Sequence, residues 1–88
     1  MKLVVSGTVQ GVFFRNFTKE NADKLGLKGH VRNLETGDVE IVLEGEKDNI
    51  EKMHELLKKG PKYSQIRNIS VEEKKWTGDQ KDFKVIRF

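Results

Sequence analysis

Cysteine is absent from all 88 residues of the chain. That excludes disulfides, a thiolate nucleophile and any cysteine-bound metal. It also fits a reducing compartment, so a cytoplasmic setting is expected. Proline occurs once, at Pro61, and no Ser-, Gly- or Pro-rich stretch interrupts the pattern, which leaves no linker between separate units. No apolar run comes near the ~20 residues needed to span a bilayer. Lys2 is followed by only Leu3-Val4-Val5 before polar residues resume. That segment is too short for a secretory leader, so neither membrane insertion nor export is expected.

What is present suits one small soluble domain over residues 1–88. Hydrophobic and charged residues each make up 35% of the chain, enough for a modest core under a densely charged exterior. The formal net charge of +3 and a pI near 9.2 permit an anionic partner without specifying one. A small lysine excess is the ordinary state of a solvated surface.

Residues 2–8 are β-rich. Over residues 14–25, Phe14, Phe17, Ala22 and Leu25 recur near helical spacing, and Gly26 stands where a helix stop belongs. Residues 30–34 predict a short strand, and Glu35-Thr36-Gly37-Asp38 a hairpin loop. Val39, Ile41 and Leu43 alternate with Glu40, Val42 and Glu44, the pattern of a half-buried strand. In the second helix Asp48 is expected as N-cap, with Glu51 in capping-box position. Ile50, Met53 and Leu57 form its apolar stripe, and Gly60-Pro61 end it. Strands over 66–73 and 83–88, separated by Thr77-Gly78-Asp79, complete a β-α-β-β-α-β order with an additional terminal strand.

The stretch Ser6-Gly7-Thr8-Val9-Gln10-Gly11-Val12-Phe13-Phe14-Arg15 joins the first strand to the first helix. Two glycines let backbone approach a ligand closely, and backbone N–H groups at a helix N-terminus attract anions. An ordinary strand-to-helix turn fits the same residue types. The β-α-β crossover is right-handed, so strands one and two run in the same direction. Arg15 and Asn33 are therefore expected at one edge of the sheet, facing one pocket, although Asn33 also suits a hairpin position that tolerates unusual dihedrals. The glycine spacing is G-x-x-x-G with no following Lys-Ser or Lys-Thr, which excludes a P-loop and a G-x-G-x-x-G dinucleotide site. A loop ending in arginine is similar to that of cysteine-dependent phosphatases, but this chain has no cysteine. If phosphate binds here, water is the attacking group.

Taken together, the motif V-x-G-x-V-Q-G-V-x-F-R at 5–15, Gly29-His30-Val31-Arg32-Asn33 with the glycine turn at Gly37, Val39-Glu40-Ile41-Val42-Leu43-Glu44-Gly45, the Gly60-Pro61 helix end and the final Phe83-Lys84-Val85-Ile86-Arg87-Phe88 resemble the acylphosphatase family over essentially the whole chain. His30 stands where the family often has Trp, Phe13 where a smaller residue is common, and Phe88 where Tyr is frequent. The resemblance implies an α+β, ferredoxin-like βαββαβ sandwich, with a mainly antiparallel sheet, two helices on one face and an extra C-terminal strand. It implies hydrolysis of acyl phosphates to a carboxylate and inorganic phosphate, the latter acting as both product and inhibitor. Arg15 then matches the phosphate-binding arginine, whose planar fork suits two oxygens at once. Asn33 matches the residue that orients the attacking water. The loop and helix start, Gly7, Gln10, Gly11, Val12, Phe13 and Phe14, match the substrate-binding cradle.

Neither motif contains an Asp, Glu or His placed as a general base, which leaves the substrate's own phosphate to take the proton. No cofactor or metal is expected: His30 and His54 fall on different elements, and no carboxylate cluster accompanies either. His30 is expected to pack within its strand and His54 to lie on the surface. Tyr63 and Trp76 are expected at the edge of the core, and Lys58-Lys59 and Lys74-Lys75 as solvated charges. The alternative is a ferredoxin-like binding or sensor module for small anions or RNA without turnover, because fold does not dictate function. RNA-binding sheets present aromatics on their open strands. Here strand three offers Glu40, Val42 and Glu44, and strand one Lys2, Val4 and Ser6, so no nucleic-acid partner is expected. The chain is expected to act as a monomer on a small molecule.

Overall fold

The computed structural model describes residues 1–8, 12–60, 65–73, 78 and 81–86, with residues 8, 12 and 13 as backbone only. The elements run β1 (Lys2–Thr8), α1 (Val12–Lys24), β2 (Lys28–Asn33), β3 (Val39–Glu44), α2 (Lys47–Lys59), β4 (Gln65–Glu72) and β5 (Phe83–Ile86). They form one sheet in the order β4-β1-β3-β2-β5. All neighbours are antiparallel except β2 and β5. This is the expected ferredoxin-like arrangement, with the added strand at the β2 edge. Pro61, Tyr63, Lys74-Lys75, Trp76, Thr77, Asp79 and the last two residues of the 83–88 strand lie outside the described residues. Among the described residues no helix is long and apolar enough to cross a membrane.

Side chains alternate across a strand, so each row of opposed residues faces one side of the sheet. Val71, Leu3, Ile41, Val31 and Val85 form a complete five-strand row on the inner side. Both helices cover that side. Phe14 and Ala22 of α1 and Met53 and Leu57 of α2 are buried with Leu3, Val5, Val31, Val39, Ile41, Leu43 and Phe83 in one cluster. Each such side chain contributes roughly 1.5–3 kcal/mol on burial. The one polar group buried in α1, the Thr18 hydroxyl, donates to the Phe14 carbonyl at 2.9 Å.

Two expectations need correction. Asp48 does not cap α2, and Glu51 completes no capping box. The N-cap is Glu46, whose side chain makes no capping hydrogen bond. The Ile50 N–H already bonds to the Glu46 carbonyl at 3.0 Å, so the helix begins ahead of Asp48. Asp48 instead sits in the first turn, where its charge faces the helix dipole. The second correction concerns β3, where all six residues are buried rather than every other one. Its outward Glu40 and Val42 are flanked by Lys2, His30 and Arg32, whose long side chains cover that face.

Gly29 shows why the second motif carries a glycine at its head. A Cβ there would lie 1.8 Å from the Val42 carbonyl oxygen, at a φ of +138° that other residues rarely adopt. Gly37, in the β2–β3 hairpin, also has a positive φ of +95° but has open space around it. Gly29→Ala is therefore expected to cost at least about 2 kcal/mol, or roughly 10 °C or more in Tm. Gly37→Ala should cost about half as much or less, because dihedral strain acts there alone. Thermal melts of the two variants side by side check this, and equal losses would show that contact with β3 is not what reserves position 29 for glycine.

Candidate active site

β1 and β2 are each antiparallel to β3, so they are parallel to one another, and both run toward the same end of the sheet. With strands about 4.8 Å apart, their axes are separated by roughly 10 Å. β1 leads into the 9–11 segment and then into α1. β2 ends at Asn33. The sequence-based juxtaposition of the two motifs thus has a simple origin: β3 lies between their strands and orients both.

Several chemical features converge at this end. Gly7 sits where the β1–β4 register shifts, and a Cβ there would approach the Gln65 carbonyl oxygen to 1.9 Å. Its glycine character is therefore required by packing against β4. Val12, Phe13, Phe14 and Arg15 form the opening of α1, where the first backbone N–H groups have no intrahelical acceptor. That first turn contains no acidic side chain, and the dipole there favours a bound anion. Phe14 belongs to the core by its side chain, so only its backbone is available for binding. Arg15 is half-buried on α1. Gln10 and Gly11 lie outside the described residues.

Asn33 has a peculiar position. Ile69, Val5, Val39 and Asn33 form one row across the sheet, three apolar residues and then a carboxamide. Alternation places Asn33 on the helix-covered side with Val31. Its Oδ1 is shielded from bulk solvent and has no hydrogen-bond partner among the described residues. A buried acceptor left in that state costs about 1–3 kcal/mol, which makes it a strong acceptor for any donor that enters. The hairpin beyond it is closed by Leu34 N–H to the Asp38 carbonyl at 2.8 Å and Gly37 N–H to the Leu34 carbonyl at 3.1 Å.

The family model for acylphosphatase matches residues 1–85. The chain belongs to the acylphosphatase family. An acylphosphatase of Dehalococcoides mccartyi is 42% identical over 86 residues, spanning 97% of this chain and 94% of that one. An acylphosphatase of Methanocella arvoryzae is 47% identical over 78 residues, or 89% of each. Among solved structures, the crystal structure of acylphosphatase from Bacillus subtilis superposes with a TM-score of 0.92 at 36% identity, covering 98% of this chain and 96% of that one. Acylphosphatases are hydrolases, and the chain is an enzyme of that kind.

On the opposite face of the acylphosphatase sheet lies a residue whose importance sequence reasoning missed. Alternation along β3 places Glu40 on the outward face, yet it is only 7% exposed. Its Oε2 accepts hydrogen bonds from Arg32 Nε at 2.5 Å and from His30 Nε2 at 3.1 Å, and Lys2 Nζ lies 3.4 Å from Oε1. The expected loop over 35–38 would set Leu34 against Val39 and Arg32 against Ile41, whereas the observed register pairs Asn33 with Val39 and so places Arg32 directly opposite Glu40. His30 is half-buried in its strand, as expected, but is also bonded to this carboxylate. His54 is only partly exposed on α2.

Burial alone would push the Glu40 carboxyl upward. The Arg32 and His30 hydrogen bonds, the Arg32 charge and the Lys2 contact outweigh it and hold the group at about 2, below the ordinary 4.5. A carboxyl depressed in the folded state stabilises the fold above its unfolded pKa, and the contribution disappears as pH falls through the folded value. Glu40→Gln should therefore lower Tm at pH 7, with the difference from wild type shrinking steadily from about pH 5 toward pH 2. Paired melts across that range test it, and a gap independent of pH would mean the ionised carboxylate is not what the network stabilises.

Proposed function

We propose that this protein hydrolyses carboxyl-phosphate mixed anhydrides by direct attack of water, with Arg15 and Asn33 as its catalytic residues. The observation that carries the reading is the shielded Asn33 Oδ1, without a hydrogen-bond partner among the described residues, at the sheet end and on the sheet face where α1 and Arg15 begin. The Arg15 guanidinium binds two phosphoryl oxygens through its planar fork. Backbone N–H groups over Gln10, Gly11, Val12, Phe13 and Phe14, with Gly7 keeping the approach open, cradle the remaining charge. Asn33 Oδ1 accepts a hydrogen bond from water and aims its oxygen at phosphorus.

The new bond forms between that oxygen and phosphorus, and the bond from phosphorus to the acyl oxygen breaks, releasing the carboxylate. One water proton stays on the entering oxygen. The other moves to a phosphate oxygen, so that dihydrogen phosphate leaves and no protein base is required. Positioning and electrostatic stabilisation are most of what such a transfer asks of a protein. One chain supplies both Arg15 and Asn33, which supports a monomer acting on a small soluble acyl phosphate, and the cysteine-free sequence fits the cytoplasm. Arginine and oriented N–H groups balance the phosphoryl charge, so no metal ion is needed.

Hydrolysis of acetyl phosphate should persist in excess chelator and be competitively inhibited by inorganic phosphate. Arg15→Ala should abolish both turnover and inhibition. Arg15→Lys keeps the charge but loses the fork, and should fall by more than about tenfold in kcat/KM, a loss of ~1.4 kcal/mol. A lysine variant with wild-type activity would overturn two-oxygen recognition. Activity that vanishes in chelator and returns with a divalent ion would overturn the metal-free mechanism.

Asn33 makes its contact with the attacking water and not with the bound charge. Asn33→Ala should lower kcat on the order of 10²–10³-fold, the loss typical of one positioned hydrogen bond, with phosphate inhibition altered only a few-fold. Measuring kcat, the phosphate Ki and Tm on one preparation separates this from a folding defect. Parallel collapse of kcat and phosphate affinity would show that Asn33 binds substrate instead.

A further inference from the structure

The carboxylate of Glu40 reaches both strands that flank its own. Arg32 and His30 come from β2 and Lys2 from β1, and all three meet it on the open face. β1 and β2 form no ladder with each other, since each is bonded to β3 on its own side. Among the described residues, Glu40 is thus the side chain that ties the three central strands together behind the site. Because an ionised carboxylate only accepts hydrogen bonds, the His30 Nε2 facing it carries the proton.

Its place along the ladder matters more than its burial. Arg32 opposes Glu40, and the next pair outward, Asn33 opposite Val39, is the last of the β2–β3 ladder. Val39 in turn opposes Val5, two residues before Gly7. The row containing Asn33 therefore also sets where β1 begins its approach to the anion-binding loop. On its outer side the Asn33–Val39 pair is closed by the Leu34–Asp38 hairpin bond, and on its inner side the adjoining pair is locked by a charge-assisted contact.

We propose that Glu40 is a positioning residue for hydrolysis. By holding Arg32 and Lys2 against β3, it fixes the span between Asn33 and the end of β1 from the opposite face of the sheet. This rests on the reading of Asn33 as the residue that aims the attacking water. Misplacing a reacting group by about 1 Å can cost ~10²-fold in rate, so a fraction of that is expected when the carboxylate is neutralised.

The test is a double-mutant cycle with Glu40→Gln, Asn33→Ala and both together, reading kcat for acetyl phosphate and the competitive Ki of inorganic phosphate. Glu40→Gln alone should lower kcat about tenfold while Ki stays within about twofold. In the Asn33→Ala background the same change should alter kcat by less than about twofold, because the positioned group is gone. Leu57→Ala, in the core under α2, serves as a control that lowers Tm without changing kcat. If Glu40→Gln fails to fold, Arg32→Gln breaks the contact from the exposed partner and should give the same pattern. Equal kcat losses in both backgrounds, or a loss of Tm with unchanged kcat, overturn the positioning role. An Asn33→Ala enzyme with unaltered kcat overturns the water-aiming reading itself, and the role of Glu40 with it.

Discussion

The structure depends on β3 being paired on both sides by strands that run opposite to it. That single constraint makes β1 and β2 parallel without letting them touch, and it brings the end of each to the same rim of the sheet. Every element of the site follows. The loop after β1 and the opening turn of α1 arrive from one side of β3, and Asn33 arrives from the other. Hydrogen bonding of β3 to both neighbours thereby does work that a contact between the two motifs would otherwise have to do.

Much of this was legible in the residues. The apolar alternation of Val39, Ile41 and Leu43 marks β3, and the turn chemistry of Thr36-Gly37-Asp38 sets the hairpin that joins it to β2. The motif from Val5 to Arg15 carries the family resemblance that the family match bears out. What was not legible has physical causes. A capping pattern at Asp48 is a local signal, and the helix start was decided instead by where the Glu46 carbonyl found its first N–H. The burial of Glu40 is a cross-strand property: periodicity assigns a residue to a face but does not say what neighbouring strands lay over it. The burial of the Asn33 oxygen, which has no partner among the described residues, is likewise invisible until the row containing Val5 and Val39 is assembled around it.

The two faces of the sheet divide the labour. The inner face is apolar across all five strands and holds the helices, with the carboxamide of Asn33 as the polar end of one row. The outer face carries charges, and its central acid is surrounded by Lys2, His30 and Arg32. Leaving any of these cations without the carboxylate would expose positive groups to one another, so the network balances itself locally. Among the described residues no helix covers that side, and the network ties the three central strands there.

The strand order has a further consequence for how the chain reaches this state. The β2–β3 hairpin closes over a few residues and can form early, but β1 must find β3, and β5 must find β2 from the opposite half of the molecule. Such long-range pairings pay their loop-closure entropy before contacts repay it, and they slow folding. The rim that holds Asn33 thus combines one short-range pairing, the β2–β3 hairpin, with one long-range pairing, β1 to β3. If Arg15 and Asn33 act together as proposed, turnover requires β1 to have joined β3, and its appearance during refolding would report that pairing.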